Sequence, residues 1–129
     1  MPWTIYDYRS HRSENIVKVW LEGLQKPDRV RMTKRIDLLR DNGLDLCPGL
    51  AGPLKESSHL YKLKVNGRVA ARLFLCKGPL TMEAEFTLLW GAFETDNELP
   101  PGTVETAEHH RREIIANHQR RCPHERVKV

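Results

Sequence analysis

The 129-residue chain carries a formal charge of +4 and is 40% hydrophobic and 29% charged, which excludes the composition of a disordered segment and predicts one domain-sized core. Its longest apolar runs, 69–76 and 86–93, are interrupted by Arg72 and Gly91 and fall far short of the roughly 20 residues that a membrane-spanning helix needs. Cys47, Cys76 and Cys122 include no CxxC pair, which argues against a disulfide framework and a cysteine-rich zinc site; with no basic-then-apolar leader at its start, the chain is expected to be cytoplasmic.

Residues 3–8 open with Trp3-Thr4-Ile5-Tyr6, good strand formers expected to join a later sheet. Ser13 reads as an N-cap. Ile16, Val17, Trp20, Leu21 and Leu24 follow at helical spacing, predicting an amphipathic helix to about Gln25. Pro27-Asp28 opens a second helix with Val30, Ile36, Leu38 and Leu39 as apolar positions, ended by Asn42-Gly43. Together they read as a helical hairpin. Residues 44–59 concentrate Gly, Pro and Ser and read as a connection.

The clearest signal comes next. Residues 60–65, the Asn66-Gly67 pair and residues 68–76 have the form of two strands joined by a two-residue type I′ turn. A second turn at Lys77-Gly78-Pro79 leads to a third run at 85–93. After Leu99-Pro100-Pro101-Gly102, Thr103 caps a last helix to about His118, with Val104, Ala107, Ile114 and Ile115 on its apolar side. The predicted class is α+β: a small antiparallel sheet of strands near 3–8, 60–65, 68–76 and 85–93, packed against an N-terminal helical hairpin and a C-terminal helix. One domain covers 1–119, and the polar segment 120–129 is expected to be a loose tail.

Charge is segregated along the chain. Residues 1–82 carry fifteen Lys and Arg against eight Asp and Glu, whereas 83–108 carry seven acids and no Lys or Arg. Lys62, Lys64, Arg68 and Arg72 project from the predicted hairpin, with Lys62 and Lys64 on one face about 7 Å apart. Adjacent cations on a sheet grip phosphates, and Lys55 in the preceding loop is placed to join them. The competing reading is that lysines on an edge strand deter aggregation.

Leu60-Tyr61-Lys62-Leu63-Lys64, Ala71-Arg72-Leu73-Phe74-Leu75 and Phe86-Thr87-Leu88-Leu89-Trp90-Gly91 together resemble the core of the RelE/HigB toxin family, including its phage-derived HigB-like branch. The resemblance extends in order to the two preceding helices, the 44–55 loop and the helix after Pro100. It implies the toxin of a type II toxin–antitoxin pair, a ribosome-dependent mRNA endonuclease in which the RNA 2′-hydroxyl attacks its own phosphate. Lys62, Lys64 and Arg72 match the family's strand cations and would be catalytic; Lys55, Tyr61 and Arg68 would assist RNA binding. No cofactor and no metal are expected. The implied partners are a helix-turn-helix antitoxin, mRNA and the ribosome, with no membrane.

Two features run against that pattern. Relatives carry a basic segment after the strand-ending glycine, where this chain has Glu94-Thr95-Asp96-Asn97-Glu98, and such charges oppose a polyanion. A two-residue turn at Asn66-Gly67 also pairs Tyr61 with Arg72, placing Arg72 on the opposite face from Lys62 and Lys64; only a bulge or an odd-length loop brings all three together. Alternative readings are a non-catalytic protein-interaction module on the same scaffold, and a relative of the ParE-type gyrase inhibitors. His109, His110, His118, Cys122 and His124 suggest a metal set, but Pro123 breaks the helical spacing. His110 and His118 are also candidates for the general acid. Trp3, Trp20 and Trp90 read as core, whereas Tyr61 reads as a base-stacking aromatic beside the cations.

Overall fold

The computed structural model describes residues 2–45, 51–54 and 57–129. Six strands, β1 (Thr4–Tyr8), β2 (Ala51–Leu54), β3 (Ser57–Asn66), β4 (Ala70–Lys77), β5 (Glu85–Glu94) and β6 (Arg121–Pro123), form one sheet in the spatial order β2-β3-β4-β5-β1-β6. Helices α1 (Ile16–Glu22) and α2 (Lys26–Asn42) lie on one face and α3 (Thr103–Ala116) on the other. The class is α+β, with the expected N-terminal helices and closing helix packed on the sheet. None of the described helices is long and apolar enough to cross a membrane.

Side-chain alternation along the strands builds two cores. Leu63, Val65, Leu73 and Phe86 meet Val17, Leu21, Met32 and Ile36 from α1 and α2. On the other face Leu60, Phe74, Cys76 and Leu89 meet Ala107 and Ile114 of α3. Burial of this kind contributes about 25 cal/mol per Å² of apolar surface and is the main force holding the layers together.

Several expectations are corrected. The sheet is mixed, not antiparallel throughout, because β1 runs parallel to β5, with Thr4 opposite Glu85 and Asp7 opposite Leu88. The 44–59 stretch is not merely a connection: it contains β2 and the start of β3. Pro53 is tolerated in β2 because an edge strand has one side on which no N–H is needed. The first helix is capped by Asn15, whose Oδ1 accepts from the Lys18 N–H at 2.9 Å, and not by Ser13. Asn15 is preferred because its Nδ2 also donates to buried Asp7, tying the helix start to β1.

The hairpin differs in a way that governs the site. Asn66 pairs with Ala70, leaving a three-residue loop of Gly67, Arg68 and Val69 closed by a Gly67 N–H to Val69 carbonyl bond of 3.1 Å. The sequence signal assumed that the glycine serves a left-handed backbone, yet Gly67 is absent from the positive-φ positions. Its function is close approach: a Cβ there would stand 1.9 Å from the Asp28 carboxylate of α2. The backbone dihedral expected at a type I′ turn occurs instead at Asp96 and Asn97, both at positive φ, between Thr95 and Glu98.

The segment after Arg120, expected to be loose, is docked. Residues 121–123 form β6 against β1. Arg121 is ion-paired with Glu85 beneath the surface, and its guanidinium lies 3.8 Å from the centre of the Tyr6 ring. His124 Nδ1 is 2.8 Å from Asp7, and Val127 is buried in the α1–α2 core.

Candidate functional site

The odd-length loop resolves the register conflict. Lys64 stands opposite Arg72 and Lys62 opposite Phe74, so Lys62, Lys64 and Arg72 share the face of the sheet that carries α3. Tyr61, one residue from Lys62, therefore points the other way and packs against the α1–α2 core. It is not beside the cations. Arg68 leaves the ladder at the loop tip and lines a separate depression with Asp28 and Arg31. Lys55 lies outside the described residues.

Two cations directly opposite one another across a ladder repel. Glu94 relieves this: β5 places Ala92 opposite Arg72, so Glu94, two residues further, projects from the same face. Arg72 Nη2 donates to Glu94 Oε2 at 3.1 Å, with the two side chains only 7% and 16% exposed. Nη1 donates to the Ala71 carbonyl at 2.9 Å, and Nε is buried without a partner among the described residues. Arg72 is the member of the trio held in an ion pair among the described residues.

The acidic segment folds over this same surface. The turn at Asp96-Asn97, closed by reciprocal Thr95 and Glu98 backbone bonds of 2.8 and 2.9 Å, turns the chain back toward α3. An open cleft of about 750 Å³ results, in which Glu94, Glu98, Glu105 and Glu108 face Lys62 and Arg112. Glu108 is partly neutralised, accepting from the Ser57 hydroxyl and pairing with Arg111 at 3.5 Å. A ligand here meets Lys62 from β3 and Arg112 from α3 among four carboxylates, with Lys64 and Arg72 on the same sheet face outside the cleft lining.

No family model, curated protein or solved structure matches the chain.

A second polar cluster lies on the α3 face toward β1. The Tyr8 hydroxyl donates to Glu113 Oε1 at 2.8 Å, Arg120 Nη2 donates to Glu113 Oε2 at 2.5 Å, and His109 approaches Glu113 at 3.3 Å. Burial first, then the Glu113 carboxylate, pushes the Tyr8 phenol up to about 12. Burial works against the Glu113 charge, but the Tyr8 hydrogen bond and Arg120 outweigh it and hold the carboxyl below its ordinary value. No sequence signal pointed to this network, since Tyr8 and Glu113 are 105 residues apart.

His110 is stacked on Tyr8 with ring centres 3.8 Å apart, and its Nδ1 donates to the Leu89 carbonyl at 2.9 Å. It is not among the residues lining the cleft. His118 lines a different pocket with Cys76 and Lys77, and burial pushes the Cys76 thiol up to about 12, leaving it an unreactive core group. The histidine and cysteine positions considered for metal are dispersed: among the described residues no three metal-ligating side chains gather.

Burial holds the His110 imidazole below its ordinary value of 6.5, opposed by the Leu89 hydrogen bond. The unfolded chain therefore binds a proton here more readily than the folded one, so this contribution to stability is present above about pH 6.5 and is lost as pH falls toward the depressed value. The Glu113 contribution has its own window, lost only below the ordinary carboxyl range. Urea midpoints are expected to fall between about pH 7 and pH 5. His110→Phe, which keeps the stack on Tyr8, is expected to flatten that decline; an unchanged slope would assign it to other groups.

Proposed function

We propose that this chain is an RNA-cleaving toxin of the RelE/HigB type, acting through Lys62, Lys64 and Arg72. The observation that supports this reading most directly is the register that sets Lys64 opposite Arg72, because it gathers three cations on one face beside an open cleft. Lys62 and Lys64 leave the strand about 7 Å apart, within reach of successive backbone phosphates. The guanidinium supplies a planar fork for the phosphate at which the 2′-hydroxyl attacks and the bond to the 5′ oxygen breaks. In this reaction a phosphate displaces Glu94 from Arg72, exchanging one oxyanion for another. The cognate partner is an antitoxin that covers this face.

Induced expression in a bacterial host tests the reading. The native chain is expected to arrest growth with accumulation of cleaved mRNA, and Arg72→Ala and Lys64→Ala are each expected to reduce cleavage by about 10²-fold or more, the scale of a lost transition-state donor. A native chain that leaves growth and mRNA untouched sinks it.

One observation favours a second reading, a non-catalytic module that binds a basic segment of a protein. The cleft presents four carboxylates against two cations, a balance that opposes a polyanion and attracts Lys- and Arg-rich chains. In that case growth is unaffected, and a synthetic Lys/Arg-rich peptide binds the native chain and loses affinity in Glu98→Gln and Glu105→Gln. A gyrase-directed, ParE-like role has only the resemblance behind it.

A further inference from the structure

β5 is ten residues long, yet β1 accompanies only its first part, from Glu85 to Leu88. Leu89 is then an extra residue, since Phe74 of β4 faces Trp90 and Leu75 faces Leu88. Such a bulge bends a strand, and this one is held by His110 on the Leu89 carbonyl. Past it, residues 90–94 have a strand neighbour on the β4 side alone among the described residues.

A groove of about 450 Å³ follows that bare edge. Trp20 of α1 and Phe93 wall one side, their ring centres 5.5 Å apart. Trp90, Pro100 and Thr103 wall the other. Trp20 lies so close on Gly91 that a Cβ there would be 2.1 Å from the indole, which explains the glycine in mid-strand. Val19 and Phe93 are exposed. In a chain that is 29% charged, none of the described residues lining this groove carries a charge. Strand edges are ordinarily blunted by lysine, proline or a covering element; here the bulge opens the edge and apolar rings border it.

We infer that this edge receives an extended segment of a partner protein, about five uncharged, largely apolar residues added as a strand beside 90–94. The unpaired main chain selects the occupant, because only an extended backbone offers donors and acceptors at strand spacing. Alternate side chains of the added strand reach the two walls, one set toward Trp20 and Phe93 and the other toward Trp90 and Pro100. A helix has no free main-chain groups to offer, a nucleic acid meets no cation here, and a charged side chain would lose its hydration against indole rings. The inference does not depend on the RNA reading, which concerns the cleft between β3 and α3.

The test is an amide NMR titration of the full chain with acetyl-Thr-Val-Thr-Val-Thr-Val-amide and with the same peptide N-methylated at every residue. The first is expected to shift the amides of residues 90–94 saturably and to slow exchange of those whose N–H faces the groove. The second is expected to bind at least about tenfold more weakly, the effect of losing backbone hydrogen bonds. Phe93→Lys, checked for an otherwise native spectrum, is expected to weaken the first peptide by a similar factor; if that variant does not fold, the two peptides on the native chain decide. Absence of saturable shifts at millimolar peptide, shifts located elsewhere, or equal binding of the N-methylated peptide overturns the inference. So does concentration-dependent dimerisation that protects the same amides, which would give the edge to a second copy of this chain.

Discussion

Replacing Arg121 with alanine is expected to lower the unfolding free energy by about 3–5 kcal/mol, measured by urea denaturation. The Arg121 and Glu85 side chains are 4% and 8% exposed, so little solvent screening reduces their interaction. Glu85 also accepts the Thr81 N–H at 2.9 Å, which orients the carboxylate but does not neutralise it. Removing the guanidinium therefore strands a charge beneath the surface. For a domain whose whole stability is about 5–15 kcal/mol, the variant would be marginal. Removing both charges as Glu85→Gln/Arg121→Met is expected to cost less than the two single changes together, with a coupling of about 0.5–3 kcal/mol. A loss below about 1 kcal/mol for Arg121→Ala would mean that the C-terminal segment is not fastened through this pair.

Glu94→Gln is expected to tighten binding of a single-stranded RNA oligonucleotide at low salt by at least about tenfold, measured by fluorescence anisotropy. The carboxylate sits 3.1 Å from Arg72 Nη2, where a competing phosphate would have to stand. At about 4 Å and a surface-like dielectric, one unit charge is worth about 4 kcal/mol, and a third of that gives the tenfold change. Glutamine keeps an oxygen for Arg72, so the fold is expected to persist. The gain should disappear in Glu94→Gln/Arg72→Ala and diminish as salt rises. If Glu94→Gln leaves RNA affinity unchanged, the cation row is not an RNA surface and the basic-peptide reading of the cleft takes its place.

Much of the fold was legible from periodicity. The runs that became β3, β4 and β5 are rich in branched and aromatic residues, and Pro27 and Gly43 punctuate α2 as their backbone chemistry requires. Tertiary partners decided the rest. The Asn-Gly pair at 66–67 looks like a two-residue turn because that dipeptide tolerates positive φ, but Asp28, distant in sequence, uses the missing side chain for contact. The C-terminal segment looks polar because Arg121 and His124 are charged or ionisable, and nothing nearby in sequence announces Glu85 and Asp7 as their partners.

The candidate site divides similarly. Lys62, Lys64 and Arg72 were visible as strand cations, and the acidic 94–98 stretch was visible as a conflict. That Glu94 is the direct partner of Arg72 depends on the β4–β5 register, which no local pattern encodes. For Tyr61, strand alternation alone places the ring across the sheet from Lys62, against the α1–α2 core.

The position of β1 between β5 and β6 bears on how the chain reaches this state. Thr4 pairs with Glu85 and Tyr8 with Arg121, so β1 is made well before either of its partners. The β3–β4 hairpin closes locally, but β1 waits for β5, 81 residues on from Thr4 to Glu85, and for β6, 113 residues on from Tyr8 to Arg121. Contacts of such long sequence separation make folding slow. Closure of the sheet thus comes only after β6 has emerged, and β1 is the segment on which a holding chaperone would act.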